Sequence, residues 1–301
     1  MIILQAILFI VSAPLLSGLI TKIKNNLRMR KGQSVLQPYY NLTKFFHKDE
    51  VISETASWIF RVTPFVVLAS TLVAAMLIPI FIFVSPAHKI GDFLVLVFIF
   101  ALGRFFLALS ALDTGSSFGG MGASREMFIS SLIEPALCMV IFAISLNFGS
   151  TDISAFSDVH AITVSSVFAA LALLLIILAE TSRIPVDNQE THLELTMVHE
   201  AMILEYCGRS LALIEMAAYI KQMIFFFLIA QIIFPIGLLN GNHVQILFWV
   251  LWYFARIGII AVIVALVEVT VAKMRLFRVA DFLGFAFVLG IIATVCAILG
   301  V

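Results

Sequence analysis

The feature that most constrains this chain is a series of eight long apolar runs separated by polar segments. The runs lie near residues 2–20, 62–84, 92–112, 127–148, 162–180, 211–238, 246–270 and 281–300. Each comes close to the roughly 20 mainly apolar residues that a helix needs to cross a bilayer. With 62% hydrophobic and 12% charged residues, a soluble fold of 301 residues would lack polar side chains to cover its surface. The sequence therefore predicts an all-α integral membrane protein of about eight transmembrane helices, organised as one polytopic domain over residues 1–301.

The distribution of basic residues predicts how these helices are oriented. Lys and Arg are concentrated in every second connection, whereas the opposite connections carry only Lys89. Basic residues near span ends resist translocation, so the basic side is cytoplasmic and both termini are expected on the outer side. Two long polar segments, about 21–61 and 181–210, then face the cytoplasm. Overall charge is balanced at 18 basic and 18 acidic residues, which gives no general attraction to nucleic acid.

Ionisable residues inside the apolar runs are the strongest functional signal. A charge at the centre of a span costs about 2.5–3.5 kcal/mol even on insertion-based scales, so such residues are retained for a purpose. In this chain they include Arg104, Glu134, Glu180, Glu215, Arg256 and Glu268. A desolvated carboxylate gains proton affinity unless a cation compensates its charge. The pattern fits a proton relay involving Glu134 and Glu215, or static ion pairs between acids and Arg104 or Arg256.

The second cytoplasmic segment is unusually acidic. Its ionisable residues are Glu180, Arg183, Asp187, Glu190, His192, Glu194, His199, Glu200 and Glu205. On a helix, Glu190 and Glu194 would share one face, where like charges favour a shared proton or a basic neighbour such as Arg183. The two histidines also allow a metal site, but the spacing does not match H-E-x-x-H. The three cysteines lack Cys-x-x-Cys spacing, so the chain is expected to bind no metal or cofactor by itself.

The first cytoplasmic segment predicts an amphipathic helix on the membrane surface. It begins with basic residues, and its apolar positions, including Tyr39 and Phe45, recur at helical spacing. The segment is either a positive-inside anchor or a docking surface for a soluble partner. Between the third and fourth runs, residues 113–125 (DTGSSFGGMGASR) predict a Gly/Ser-rich turn that allows close backbone approach. The residues predicted for docking are Arg28, Arg30, Gln37, Pro38 and Lys44.

Both cytoplasmic segments resemble a known family. The stretch GQSVLQPYYNLTKFFHKDE resembles the G-x-x-x-x-L-Q-P signature region of subunit 1 (the H subunit) of respiratory complex I, and ETSRIPVDNQETHLEL resembles its E-T-x-R-x-P-x-D-x-x-E-x-E-x-E-L signature. The phrases LDTGSSFGGMGASRE and THLELTMVHEAMILEYCG are more similar to the membrane subunit of group 4 nickel–iron hydrogenases and formate hydrogenlyase, the hydrogenase-4 component C type. The resemblance extends over the whole chain.

This resemblance implies a non-catalytic subunit, without a redox centre of its own, in an oxidoreductase complex of a prokaryotic cytoplasmic membrane. The expected partners are soluble hydrogenase-like large and small subunits, which would carry nickel–iron and iron–sulfur centres, and antiporter-like membrane subunits. The chain would couple electron transfer in the soluble arm to ion translocation. Together with the residues in the spans, the resemblance gives a predicted relay of Glu134, Glu180, Asp187, Glu190, Glu194, Glu205, Glu215 and Glu268, with Arg104, Arg183 and Arg256 as charge partners.

Two departures from the complex I pattern leave an alternative open. His192 occupies a position where the complex I signature has a glutamate, and Asn41 occupies one where it has an aspartate. These changes weaken the expectation of a quinone chamber, although a quinone-reducing complex I-like enzyme stays the main alternative. A standalone ion transporter and a plain structural anchor are the others. The transporter hypothesis lacks the matched broken helices in two repeats that it would require.

Overall fold

The computed structural model describes residues 2–78, 91–153, 163–187, 197–234 and 243–300. This part of the chain is helical, without strands, and one isolated antiparallel bridge joins Asp92 to Asp152. Its helices are α1 (Ile2–Leu27), α2 (Gln37–Phe46), α3 (Trp58–Leu77), α4 (Phe93–Asp113), α5 (Ser117–Phe148), α6 (Val164–Glu180), α7 (His199–Ile203), α8 (Gly208–Ile233), α9 (His243–Thr270) and α10 (Leu276–Leu299).

Within the described ranges, seven helices have the length and apolar composition to cross a membrane. They are α1, α3, α4, α5, α8, α9 and α10. The remaining predicted span, the run near 162–180, corresponds to α6, whose 17 residues lie at the lower end of the length that crosses a bilayer. The prediction of an all-α membrane protein with about eight membrane helices is therefore confirmed. The placement of both termini on the outer side stays a prediction.

Helix α8 occupies the centre of the bundle. In its apolar window, 72% of the residues are buried, against 33–50% in the other six spans. It packs against α1, α2, α3, α6 and α9, while α5 packs against α4, α6 and α10 on another side. Large apolar side chains on the outer helices, such as Phe98 and Phe285, point away from the bundle and suit contact with lipid. Polar residues on α8 are therefore enclosed by protein rather than by lipid.

The connections predicted to be cytoplasmic contact one another. The Ser57 backbone N–H donates to Asp113 at 2.7 Å, and the Thr55 hydroxyl donates to the Thr114 carbonyl at 2.9 Å. The Met274 N–H donates to the Pro185 carbonyl at 2.9 Å, which joins the segment after α9 to the segment after α6. These hydrogen bonds place the predicted cytoplasmic segments together at one end of the bundle.

The Gly/Ser-rich segment forms a shorter turn than the sequence suggested, because α5 already begins at Ser117. The Ser116 side chain caps this helix by accepting the Gly119 N–H at 3.1 Å. A Cβ atom at Gly122 would lie 2.9 Å from both the Val198 carbonyl oxygen and the Ala201 Cβ. The close approach that the glycines permit is thus made by α7 of the same chain.

The segment that connects α1 to α2 runs back along α1. A Cβ atom at Gly18 would lie 2.0 Å from the Val35 carbonyl oxygen, and the Tyr39 hydroxyl donates to the Val11 carbonyl. Gly18 precedes the end of α1 by nine residues, or about 14 Å of helix. The predicted amphipathic helix is present as α2, which packs against α1 and α8.

We expect Gly18→Ala to destabilise the protein by about 1–3 kcal/mol, because the added methyl group must displace the Val35 backbone. Gly284→Ala is the matched control, since a Cβ at that helical glycine meets no atom within 4 Å. Both changes gain the same helix propensity, about 1 kcal/mol, so their difference isolates the packing effect. Thermal unfolding of the purified variants measures it, and equal midpoints would contradict the close contact at Gly18.

Candidate functional site

A cavity of about 430 Å³ lies between α1, α2, α4 and α8 and extends to the residues after α6. Its wall is partly apolar, with Phe45, Phe100 and Leu107, and partly charged. The charged and titratable residues that line it are Lys24, Arg104, Glu126, Glu180, Arg183, Asp187, His199, Glu200, Glu215, Lys221 and Glu268. Such a concentration of ionisable groups within a membrane bundle is the main candidate for a functional site.

One line of ion pairs leads from the cavity to the surface of α5. Glu180, the last residue of α6, contacts Lys221 Nζ through Oε1 at 2.7 Å and accepts from Arg104 Nη1 through Oε2 at 2.7 Å. Arg104 Nη2 then donates to Glu134 Oε1 at 2.9 Å. The side chain of Glu180 is 2% exposed, whereas that of Glu134 is 44% exposed. The line therefore joins an enclosed carboxylate to one that reaches the outer face of the bundle.

A second buried cluster surrounds Glu268 on α9. Arg183 Nη1 contacts Glu268 Oε1 at 2.5 Å, and Lys24 Nζ lies 3.4 Å from Glu268 Oε2. Arg183 Nη2 also donates to the Gln222 side-chain oxygen at 3.0 Å. As at Glu180, one arginine and one lysine compensate the charge of one carboxylate, which the low dielectric of the site requires.

Asp187 organises the segment between α6 and α7. Its Oδ1 contacts Lys273 Nζ at 3.0 Å, and its Oδ2 accepts the backbone N–H groups of Val198 and His199 at 3.1 and 3.2 Å. Asp187 is 1% exposed. Its carboxylate thus fixes the start of α7, and with it the positions of His199 and Glu200 at the cavity wall.

Two titratable groups at the start of α7 have shifted protonation equilibria. Burial raises the pKa of Glu200 to about 8, and the nearby charges of Glu215 and Asp187 act in the same direction. Burial also lowers the pKa of His199, and the positive charge of Lys221 adds to that effect. Glu200 therefore holds a proton near neutral pH and can exchange it with the cavity.

The structure brings together most of the predicted relay residues that it describes. Glu180, Asp187, Glu215 and Glu268 line the cavity, and Glu134 is joined to it through Arg104. Arg183 lies in the second cluster, where it pairs with Glu268. Glu190 and Glu194 lie outside the described residues.

Glu205 and Arg256 lie apart from this site. Glu205 is exposed after α7. Arg256, although 3% exposed, donates to the Gln231 side chain at 3.1 Å and to the Phe234 carbonyl at 2.5 Å. The sequence suggested a carboxylate partner for Arg256. Among the described residues, these two oxygens accept its hydrogen bonds instead, because the Arg256 side chain lies between α8 and α9, away from the cavity.

The predicted docking residues have different environments. Arg30 and Lys44 are exposed, and Arg28 is partly buried. Pro38 is buried at the cavity wall, and Gln37 donates to the Asn41 side chain at 3.1 Å within α2. Arg30 and Lys44 are therefore the accessible members of this set, while Pro38 and Gln37 take part in contacts within the chain.

Several site residues were not predicted from sequence: Lys24, Glu126, His199, Glu200, Lys221 and Lys273. The lysines looked like ordinary positive charges of the cytoplasmic side. The position of Lys221, thirteen residues into the 26-residue α8, was the available signal that it lies within a span. Glu126 precedes Glu134 by eight residues on α5. It was not predicted because it lies between the predicted turn, 113–125, and the apolar run that begins near residue 127.

In the part of the chain that the structure describes, no group of three or more His, Cys, Asp or Glu side chains is arranged to hold a metal ion. The three cysteines lie apart from one another and are unbridged. The site is therefore a network of acids, lysines and arginines.

The family model described as NADH dehydrogenase matches residues 1–299. The chain belongs to the NADH dehydrogenase family. Similar members include hydrogenase-4 component C of Escherichia coli strain K12, which is 36% identical over 77% of this chain and 74% of its own length. Formate hydrogenlyase subunit 4 of the same strain is 31% identical over 91% of this chain and 90% of its own length. The H subunit of NADH-quinone oxidoreductase from Rhodospirillum rubrum is 26% identical over 84% of this chain and 78% of its own length.

A solved structure supports the fold of this NADH dehydrogenase family member. A chain of the membrane-bound sulfane sulfur reductase, an archaeal respiratory membrane complex, superimposes with a TM-score of 0.81 at 19% identity and covers 98% of this chain and 99% of its own. With seven apolar helices among its described residues and bacterial membrane-complex relatives, the chain is a multi-pass protein of the inner membrane.

Glu200 gives this NADH dehydrogenase family chain a specific pH dependence of stability. Its pKa is about 8 in the folded state and 4.5 in the reference state, so the folded protein binds the extra proton between these values. The free energy of unfolding should therefore fall as pH rises through this window and level off above about pH 8. In Glu200→Gln the fall between pH 7 and 8 should be smaller. Thermal midpoints at pH 7–9, where His199 is neutral, test this, and parallel curves for both proteins would contradict it.

Proposed function

We propose that this chain is the membrane-anchoring and proton-relay subunit of a hydrogenase-4-like or formate hydrogenlyase-like redox complex. It would couple electron transfer in a soluble arm to ion translocation in the membrane. The observation that carries the proposal is the line from Lys221 through Glu180 and Arg104 to Glu134, which joins an enclosed cavity to the lateral face of the bundle. The similarity to the two Escherichia coli subunits supports the type of complex.

The arrangement of acids suits stepwise proton transfer. Glu180, Glu200 and Glu215 lie at the cavity wall, and Glu134 lies beyond Arg104. The guanidinium of Arg104 does not lose its proton in proteins, so it serves as a fixed charge that stabilises the carboxylates on both sides. The protons themselves would pass between carboxylates and water in the cavity. Glu190, Glu194 and Glu205 remain predicted acids at the cytoplasmic entrance.

The partners follow from the same proposal. Soluble hydrogenase-like large and small subunits would dock at the cytoplasmic end and carry the nickel–iron and iron–sulfur centres. The exposed Arg30 and Lys44 are the docking residues that the structure leaves accessible. Antiporter-like membrane subunits would receive the relay laterally, where Glu134 is 44% exposed. A half-exposed carboxylate in a membrane helix is costly in contact with lipid, which favours a protein neighbour there.

We expect Glu134→Gln to lower coupled proton transfer by about a hundredfold, since a positioned proton-transfer group contributes about 10²–10⁴-fold. The measurement is proton movement per electron transferred, in proteoliposomes that contain the complex purified through a tag on this chain. Asp281→Asn is the control, because this exposed acid lies outside the network. Full proton movement by an assembled Glu134→Gln complex would reject the relay.

A second candidate function is that of a subunit in a quinone-reducing complex I-like oxidoreductase. The specific observation is the cavity itself, whose wall beside α2 includes Pro38, Phe45 and Phe100 and could accept an apolar ring. Similarity to the NADH-quinone oxidoreductase protein of Rhodospirillum rubrum points the same way. Under this candidate, Phe45→Ala should raise the KM of the purified complex for a water-soluble quinone, and the absence of any quinone reduction by the wild-type complex would exclude it.

A further inference from the structure

Lys221 is the only lysine of α8, and it lies in the middle of the most enclosed span. Its side chain is 17% exposed, and its Nζ contacts Glu180 Oε1 at 2.7 Å. Proton transfer through Glu180 requires that this carboxylate alternate between its charged and neutral forms. Because Arg104 contacts the other oxygen of Glu180 at 2.7 Å, the carboxylate lies between two cations and is held in the charged form. Relay through Glu180 therefore needs one of these cations to withdraw.

The two cations differ in their ability to withdraw. Arg104 is held by two carboxylates, through Nη1 at Glu180 and Nη2 at Glu134. The planar guanidinium group of Arg104 is therefore held in place by a hydrogen bond on each side. Lys221 carries a point charge on a flexible four-carbon stem. The cavity gives this stem space to move, since Lys221 lines it.

A second carboxylate is available to Lys221. Glu126 lines the same cavity as Lys221. Glu126 lies on α5, two helical turns before Glu134, so it belongs to a different element from Glu180. The ammonium group would therefore exchange one carboxylate for another rather than enter an apolar region.

We propose that Lys221 is a positioning residue that alternates between Glu180 and Glu126, and that its place determines whether Glu180 takes up a proton. This inference rests on the proposed relay function. When the ammonium moves to Glu126, Glu180 accepts one proton from a hydronium ion in the cavity, which leaves neutral water, and Glu180 becomes neutral. When the ammonium returns, Glu180 releases that same proton toward Glu134. Lys221 keeps its own protons throughout, so it moves charge without transferring a proton.

Other charged groups set the field in which this movement occurs. They are Lys24 on α1, Arg104 on α4, Glu134 on α5, Arg183 and Asp187 after α6, His199 and Glu200 on α7, Glu215 and Tyr219 on α8, and Glu268 on α9. Arg183 and Lys24 are engaged with Glu268, and Asp187 is engaged with Lys273. Among the described residues, Lys221 is thus the lysine that contacts Glu180 and shares the cavity wall with Glu126.

Infrared pH titration of the tag-purified complex tests the proposal. The protonated-carboxyl band of Glu180 is identified by its loss in Glu180→Gln. In Lys221→Met the midpoint of this band should move up by about one to three pH units, because one compensating cation is gone. In Glu126→Gln the midpoint should move down, because the ammonium then stays at Glu180. Lys221→Arg, which keeps the charge, should stay near the wild-type midpoint, and Lys48→Met is the matched control at an exposed lysine.

Opposite shifts in Lys221→Met and Glu126→Gln are also expected from two fixed charges, so the double variant Lys221→Met/Glu126→Gln decides between the two cases. If Glu126 acts by drawing the ammonium group away, its replacement has no further effect once Lys221 is Met; a downward shift that persists in the double variant shows fixed charges and overturns the alternation. An unmoved midpoint in either variant, or no band that disappears in Glu180→Gln, overturns it. The titration needs no turnover, so its outcome is separate from that of the proposed relay. Normal proton transfer in Glu134→Gln would reject the relay whatever the titration shows, and an unmoved midpoint beside blocked transfer would reject the role of Lys221 alone.

Discussion

The cost of holding a carboxylate inside a membrane bundle is the constraint on which this structure depends. Glu180 and Glu268 are both enclosed, and each is compensated by one arginine and one lysine. Removing one partner of such a buried pair costs about 3–5 kcal/mol, so the helices that carry the partners are tied together electrostatically as well as by packing. These ties link α4, α6 and α8 around Glu180, and α1 and α9 with the residues after α6 around Glu268.

This constraint also explains why the cavity is where it is. Charged side chains that face one another across α1, α4 and α8 leave room for water, which apolar side chains would exclude. The close contacts at Gly18 and Gly122 bring the segment before α2 and the start of α7 against the bundle. Asp187 fixes the start of α7 through two backbone N–H groups, so Glu200 and His199 are held at the wall. Local hydrogen bonds thus place the groups whose pKa values are shifted.

The membrane fold could be predicted from the sequence because hydrophobic length alone identifies a spanning helix. The boundaries were less predictable: α5 begins at Ser117, inside the Gly/Ser-rich segment, because Ser116 caps it and its glycines pack against α7. Arg104, Arg183, Glu134 and Glu180 could be found as charges in or beside apolar runs. Lys24 could not, because a lysine near the end of a span looks the same in sequence whether it faces solvent or a buried acid. Lys221 could have been found as well, because it lies within the apolar run 211–238. Arg256 could be found as a charge within a span, but its partners could not be predicted. They are a glutamine side chain and a backbone carbonyl oxygen, which no charge pattern indicates.

The central claim is that the carboxylates joined through Arg104 change protonation when the complex turns over. Infrared difference spectroscopy between the reduced and oxidised complex measures this directly. The account predicts a protonated-carboxyl signal that is present in the wild type and lost when Glu134 and Glu180 are both replaced by Gln. An unchanged difference spectrum in that double variant, with proton transfer intact, would contradict it.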